Sequence, residues 1–245
     1  MLILSIDTSG KQGSVALARA DGNKLELIAS APVEGGTFSA QLVPQIAKLL
    51  TQHGLNKEQI ELFAAASGPG SFTGLRVGLA AIKALAEVLK RPIVTVSLLQ
   101  AVAASALSDR GAWEADAKAN VLALLDAGRE EIYLGEYSYG RPLPVCVNEQ
   151  MLRPEEIAKM VEQRGQKVAV LTPDAALIEK IKKFLRDPYL LWSEIVPRPG
   201  AGTIAELGAN KLLRGETVSV EALDANYIRR SDAEIFSLPK LAGGS

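Results

Sequence analysis

ILSIDTSGKQGSVAL (residues 3–17) and LALLDAGREEIYLG (residues 122–135) are two versions of one pattern. Each is an apolar strand ending in an aspartate, Asp7 or Asp126. A small residue, a glycine (Gly10, Gly128) and a basic residue (Lys11, Arg129) follow, and then a second apolar strand begins. The surroundings repeat as well. Strands are predicted at Leu2–Ile6, Ser14–Arg19 and Lys24–Ala31, with Asp21-Gly22 as the hairpin turn between the last two. A helix over 39–53, a strand at Leu62–Ser67, a helix over 73–90, a strand at Ile93–Val96 and a helix over 98–108 follow. The second round has strands within Asn120–Tyr139 and at Leu143–Val147, then a helix over 155–164 and a strand at Lys167–Leu171. It closes with a helix over 174–185, a strand at Tyr189–Trp192 and a helix over 203–214. An internal repeat of this size implies a duplicated α/β fold. The apolar pattern lapses in DRGAWEADAKA (109–119), so the halves are expected at 1–108 and 109–245.

Composition narrows the chemistry. The 245 residues are 48% hydrophobic, enough for a substantial core. Lys+Arg 27 against Asp+Glu 28 leaves a net charge of −1, so no global field draws in nucleic acid. One cysteine, Cys146, cannot form an internal disulfide, which fits a reducing cytoplasm. It lies in PLPVCVN and reads as a small buried hydrophobe. The opening MLILSIDTSG lacks the basic segment of a secretory signal. VGLAAIKALAEVL carries Lys83 and Glu87 and is too short to span a bilayer. The single histidine, His53, rules out a two-histidine metal site. A Ser-His-Asp triad would have to use it, and it reads instead as a helix-end residue beside Gly54.

SGPGSFTGLRVG (67–78) invites a phosphate-loop reading. It fails the Walker spacing, because no Lys-Ser/Thr pair follows Gly74, and it fails G-x-G-x-x-G by one position. Its helix start could still attract an anion. In the helix that follows, capped by Thr73 or Ser71, Leu75, Leu79, Ile82, Ala86 and Leu89 form one apolar stripe. Gly74, Gly78 and Ala81 make much of the remainder small. In the preceding helix, Leu42, Ile46, Leu49 and Leu50 form a second stripe, and Pro44 falls early. Such helices are either wholly internal or belong to an interface, where glycines at four-residue spacing admit a partner helix.

A duplicated unit with three leading strands resembles the actin, sugar-kinase and chaperone ATPase superfamily, whose halves are ribonuclease H-like. More narrowly, IDTS (6–9), SxxLVPxI (39–46), SGPGSFTGLRVG (67–78), LLDAGREEIY (124–133) and ANYIRR (225–230) resemble the TsaB family, also called YeaZ. The resemblance runs from residue 2 to about 233. It implies a non-catalytic partner of TsaD in bacterial synthesis of threonylcarbamoyladenosine on tRNA, at the adenosine next to the anticodon. It implies a heterodimer with TsaD, TsaE reached through that complex, a homodimer when alone, and tRNA met indirectly. It implies a partner interface of Leu42, Ile46, Leu49, Leu75, Arg76, Leu79, Ile82 and Lys83. On that reading Leu79→Asp would break association and leave the fold intact. The cleft becomes a vestigial nucleotide site of Asp7, Thr8, Ser9, Lys11 and Asp126. No cofactor is expected to be tightly bound, and ATP and Mg²⁺ belong to the complex. The chain departs from the family in having Phe38-Ser39-Ala40 for His-Ser-Glu and Asp126-Ala127-Gly128 for Asp-Ala-Arg. PRPGAGT (197–203) is the nearest substitute for a glycine-rich adenosine loop. The alternative is a kinase or nucleotide hydrolase acting through Asp7, Lys11 and Asp126; a peptidase lacks any supporting motif. Lys182-Lys183 and Arg229-Arg230 are candidate direct RNA contacts.

Overall fold

The computed structural model of the chain describes residues 1–22, 24–108, 120–138, 143–226 and 228. Its strands are β1 (Leu2–Asp7), β2 (Gln12–Asp21), β3 (Lys24–Glu34), β4 (Ile60–Gly68), β5 (Ile93–Ser97), β6 (Val121–Gly128), β7 (Glu131–Ser138), β8 (Val145–Leu152), β9 (Val168–Thr172) and β10 (Leu191–Ile195). Its helices are α1 (Phe38–Gln52), α2 (Phe72–Leu89), α3 (Leu98–Ser108), α4 (Pro154–Arg164), α5 (Ala175–Lys182) and α6 (Ala201–Leu213). The first sheet runs β3-β2-β1-β4-β5 and the second runs β8-β7-β6-β9-β10. In each, the first three strands are antiparallel and the fourth and fifth are parallel to the first. The duplication read from the sequence is therefore a duplication of topology. The expected boundary at 109–119 lies outside the described residues.

All of β1 is buried because it is central and covered on both faces. Leu2, Leu4 and Ile6 face α1 and α2, in a core with Leu42, Ile46, Leu49, Leu75, Leu79 and Ile82. Ile3 faces the other way, into a core shared by both sheets, α3 and α6. A third core lies between the second sheet and α4 and α5, around Leu122, Leu134, Val161 and Ile181. The layers are thus helices, sheet, helices, sheet, helices.

The middle layer crosses over. α3 follows the first sheet in sequence and packs on β6, β7 and β9 of the second. α6 follows the second sheet and packs across β1, β2 and β4 of the first. Two serines of the first sheet hold the start of α6. Ser14 Oγ accepts from Ala201 N–H at 2.9 Å, and Ser5 Oγ donates to Ala201 O at 2.7 Å.

The stripe assigned above to a partner interface is internal. Leu42, Ile46, Leu49, Leu75, Leu79 and Ile82 are all buried against the chain's own sheet. The paired glycines also serve the chain itself. A Cβ on Gly74 would lie 2.1 Å from Thr8 O, and one on Gly78 would lie 2.2 Å from Thr8 Oγ1. Their bare Cα atoms let α2 lie directly on the β1–β2 turn. Phe38 is buried at the same junction, 2.8 Å from where a Gly13 Cβ would stand.

The end of α2 is suboptimal. Lys90 takes the left-handed conformation, φ 52°, as the C-terminal cap. A side chain there costs about 1 kcal/mol relative to glycine. Lys90→Gly is expected to raise the thermal midpoint by a few degrees, even with loss of the exposed 2.8 Å pair to Glu87.

Candidate functional site

A cleft of about 1640 Å³ opens between the halves. Its walls are the β1–β2 turn, the Pro69–Val77 loop and helix start, the β6–β7 turn and the segment carrying Arg198. The two aspartates sit at matching places. Asp7 Oδ1 accepts from Ser9 N–H at 2.9 Å, and Asp126 Oδ1 accepts from Gly128 N–H at 3.1 Å. The repeat therefore extends to the local hydrogen bond that shapes each turn.

Their surroundings differ. Asp126 is exposed at the cleft wall, whereas Asp7 is 4% exposed and does not line the cleft. Burial pushes the Asp7 carboxyl above its ordinary value; hydrogen bonds from Ser9 and the charge of Arg198 pull part of the way back. Thr8 is also withdrawn, covered by Gly74 and Gly78 of α2. Of the five residues assigned to the nucleotide cleft, Ser9, Lys11 and Asp126 line it, Thr8 is shut behind α2, and Asp7 is buried at the end of β1. Among the described residues, no group of three or more His, Cys, Asp or Glu could hold a metal ion.

A raised folded-state pKa means that ionisation of Asp7 opposes folding. Stability is fully present below the unfolded value near 4 and is lost as pH rises through the higher folded value. Asp7→Asn keeps an acceptor for Ser9 N–H. It is expected to melt above the wild type at pH 7, with the gap closing as pH falls toward about 4.

The phosphate-loop question is settled by what this loop's amides and hydroxyl already do. Ser71 N–H donates to Ser9 O at 2.7 Å, and Ser71 Oγ caps α2 by accepting from Gly74 N–H at 3.2 Å. The loop locks the turn that carries Asp7. Arg76 stacks on Phe72, 3.9 Å from the ring centre, and both line the cleft. Lys83 is exposed on the outer side of the same helix.

Arg198 and Asp174 also line the cleft, and neither was assigned to it from sequence. PRPGAGT marked the neighbourhood of Arg198, but only the crossover of α6 brings that segment beside Gly10, where a Cβ would stand 3.2 Å from the guanidinium. Glu149 was likewise missed. It accepts from Tyr137 Oη, from Ser97 Oγ at 2.5 Å and from Asn226 Nδ2 at 2.7 Å, tying together elements of both halves. Burial pushes the Tyr137 hydroxyl pKa upward, and the Glu149 charge adds to the rise. A second cavity of about 460 Å³ lies beside this knot. Cys146 lines it and is exposed, not buried as expected, because β8 is an edge strand. His53 is the exposed C-terminal cap of α1, where the sequence put it.

Two interlocked ribonuclease H-like halves, each presenting an aspartate-bearing turn toward one cleft, define the actin-like superfamily fold. The family model described as "TsaD: tRNA N6-adenosine threonylcarbamoyltransferase" matches residues 35–236. The tRNA threonylcarbamoyladenosine biosynthesis protein TsaB of Escherichia coli strain K12 is 30% identical, covering 95% of this chain and 96% of its own. The protein of the same name from Bacillus subtilis strain 168 is 28% identical, covering 96% of each chain. The solved structure of YeaZ from Pseudomonas aeruginosa superposes with a TM-score of 0.71 at 25% identity, over 92% of this chain and 99% of that one. The chain belongs to the TsaB (YeaZ) family, within the wider group that the TsaD model describes. No helix among the described residues is long and apolar enough to cross a membrane.

Proposed function

We propose that the chain is a non-catalytic scaffold subunit in tRNA threonylcarbamoyladenosine synthesis. It docks on a TsaD-type threonylcarbamoyltransferase and supports transfer to the adenosine beside the anticodon; without that partner the same face pairs two copies of the chain. ATP and Mg²⁺ act in the assembled complex, TsaE joins through the transferase, and the work is cytoplasmic. The names of the relatives support the pathway. The burial of Asp7 and Thr8 supports the absence of chemistry in the cleft.

The observation that carries docking is the outer face of α1 and α2. With the leucine stripe turned inward, Ala40, Val43 and Ala47 of α1 and Phe72, Ala80, Ala84 and Val88 of α2 remain exposed. Val43 is 54% exposed and Val88 is 75% exposed. Small residues on such a face let a facing helix come close. Light scattering of the chain, alone and mixed with the transferase of its own organism, tests the proposal. The mixture is expected to run at the mass of a heterodimer. A chain that keeps its own mass in the mixture, with and without ATP and Mg²⁺, would sink the scaffold reading.

A further inference from the structure

KIKKFLRDPYLLW (180–192) leads from the end of α5 through a single turn of 3-10 helix into β10. Leu185 and Leu191 are buried beneath α5, and Leu190 packs beside them. The large rings beside and between them are left outside. Phe184 is 53% exposed, Tyr189 is 85% and Trp192 is 42%. Trp192 lies on the sheet face opposite Leu191, on a strand that is the edge of its sheet. Single exposed apolar residues are ordinary, but Phe184, Tyr189 and Trp192 are three exposed rings in one short stretch of chain.

Charge is concentrated there too. A chain of net charge −1 places Lys180, Lys182, Lys183 and Arg186 in this stretch against the single acid Asp187. Lys180 is 3.5 Å from Glu130 and Lys182 is 3.2 Å from Glu179, both surface pairs. The Lys183 and Arg186 side chains are exposed. Glu162 accepts the Arg186 backbone N–H, and Glu194 lies further along β10. Rings interleaved with cations match a nucleic acid in a single-stranded or looped form, because bases stack on aromatic faces while cations neutralise phosphates. A protein partner is the poorer match, since the centres of protein interfaces are depleted in lysine.

We propose that the α5–β10 edge is an RNA-contact surface that holds an unpaired stretch of the tRNA substrate. The inference rests on the reading of the chain as a tRNA-modification subunit. The test is fluorescence anisotropy of a labelled unmodified tRNA transcript, titrated with the chain alone and with the chain–transferase complex. The double variant Tyr189→Ala, Trp192→Ala is expected to weaken binding about tenfold or more. Lys183→Ala with Arg186→Ala is expected to weaken it and flatten its salt dependence. Trp192→Phe keeps a stacking ring and is expected to bind as the wild type does. All variants should melt like the wild type and still assemble with the transferase. Unchanged RNA affinity in both double variants would overturn the inference, as would loss of transferase binding with RNA binding intact. If the chain does not assemble at all, the scaffold reading fails, and the titration of the chain alone still decides this one. Absence of any transcript binding by the wild type overturns it.

Discussion

Leu79→Asp is expected to yield no folded protein, whereas Ala84→Asp, five residues further along the same helix, should fold normally and lose its partner. Leu79 is buried in the core beneath α1 and α2. Truncating such a side chain costs about 2–5 kcal/mol. Leaving an unpaired carboxylate there adds several kcal/mol more. The sum rivals the about 5–15 kcal/mol that holds an entire domain together. Ala84 is exposed on the outer face, so its carboxylate stays in water until a partner covers it. The same desolvation penalty then appears in association, enough to weaken binding by orders of magnitude. Circular dichroism read beside light scattering separates the two outcomes. A cooperative melt for Leu79→Asp would return the leucine stripe to the interface. A heterodimer formed by Ala84→Asp at wild-type affinity would remove the outer face from it.

Residues 1–108 expressed alone are expected to collapse without native packing, although they contain the whole first sheet. Ile3, Leu62, Val94 and Val96 belong to the central core, where Ile204, Ala205 and Leu207 of α6 join them. Gly208 lies so close that a Cβ on it would stand 2.8 Å from that of Ala64. Exposing four large aliphatic side chains forfeits about 1.5–3 kcal/mol each, a total of the same order as the net stability of a domain. The fragment should bind a hydrophobic dye and show poorly dispersed NMR spectra. Co-expression with residues 109–245 should restore a sharp melt. A well-dispersed spectrum from the fragment by itself would show that α6 is not needed.

The strand and helix order was legible because every element carries its own period. β1, broken only by Ser5, and β6 are mainly apolar up to their aspartates, as doubly covered strands tend to be. α1 and α2 carry stripes at helical spacing, and Ser71 is a proper cap. The repeat of Asp7 and Asp126 was legible because each aspartate makes a local bond two residues along the chain. The direction of the stripes was another matter. An apolar stripe announces that it will be covered and says nothing about what covers it. Gly74 and Gly78 announced close approach in the same way, and the neighbour proved to be Thr8 of the same chain.

The sequence by itself determined the duplicated α/β fold, the family, and the absence of any two-histidine metal site, because these depend on residue types and on spacings within single elements. Only the tertiary structure decided that α3 and α6 trade sheets, that Thr8 is sealed under α2 and Asp7 is buried, and that Arg198 reaches the cleft. It also decided that Glu149 ties the halves together and that Val43, Ala80, Ala84 and Val88, in place of the leucines, are apolar residues left exposed on the outer face of α1 and α2. Each of these depends on distances between residues far apart in the chain, and local periodicity carries no information about them.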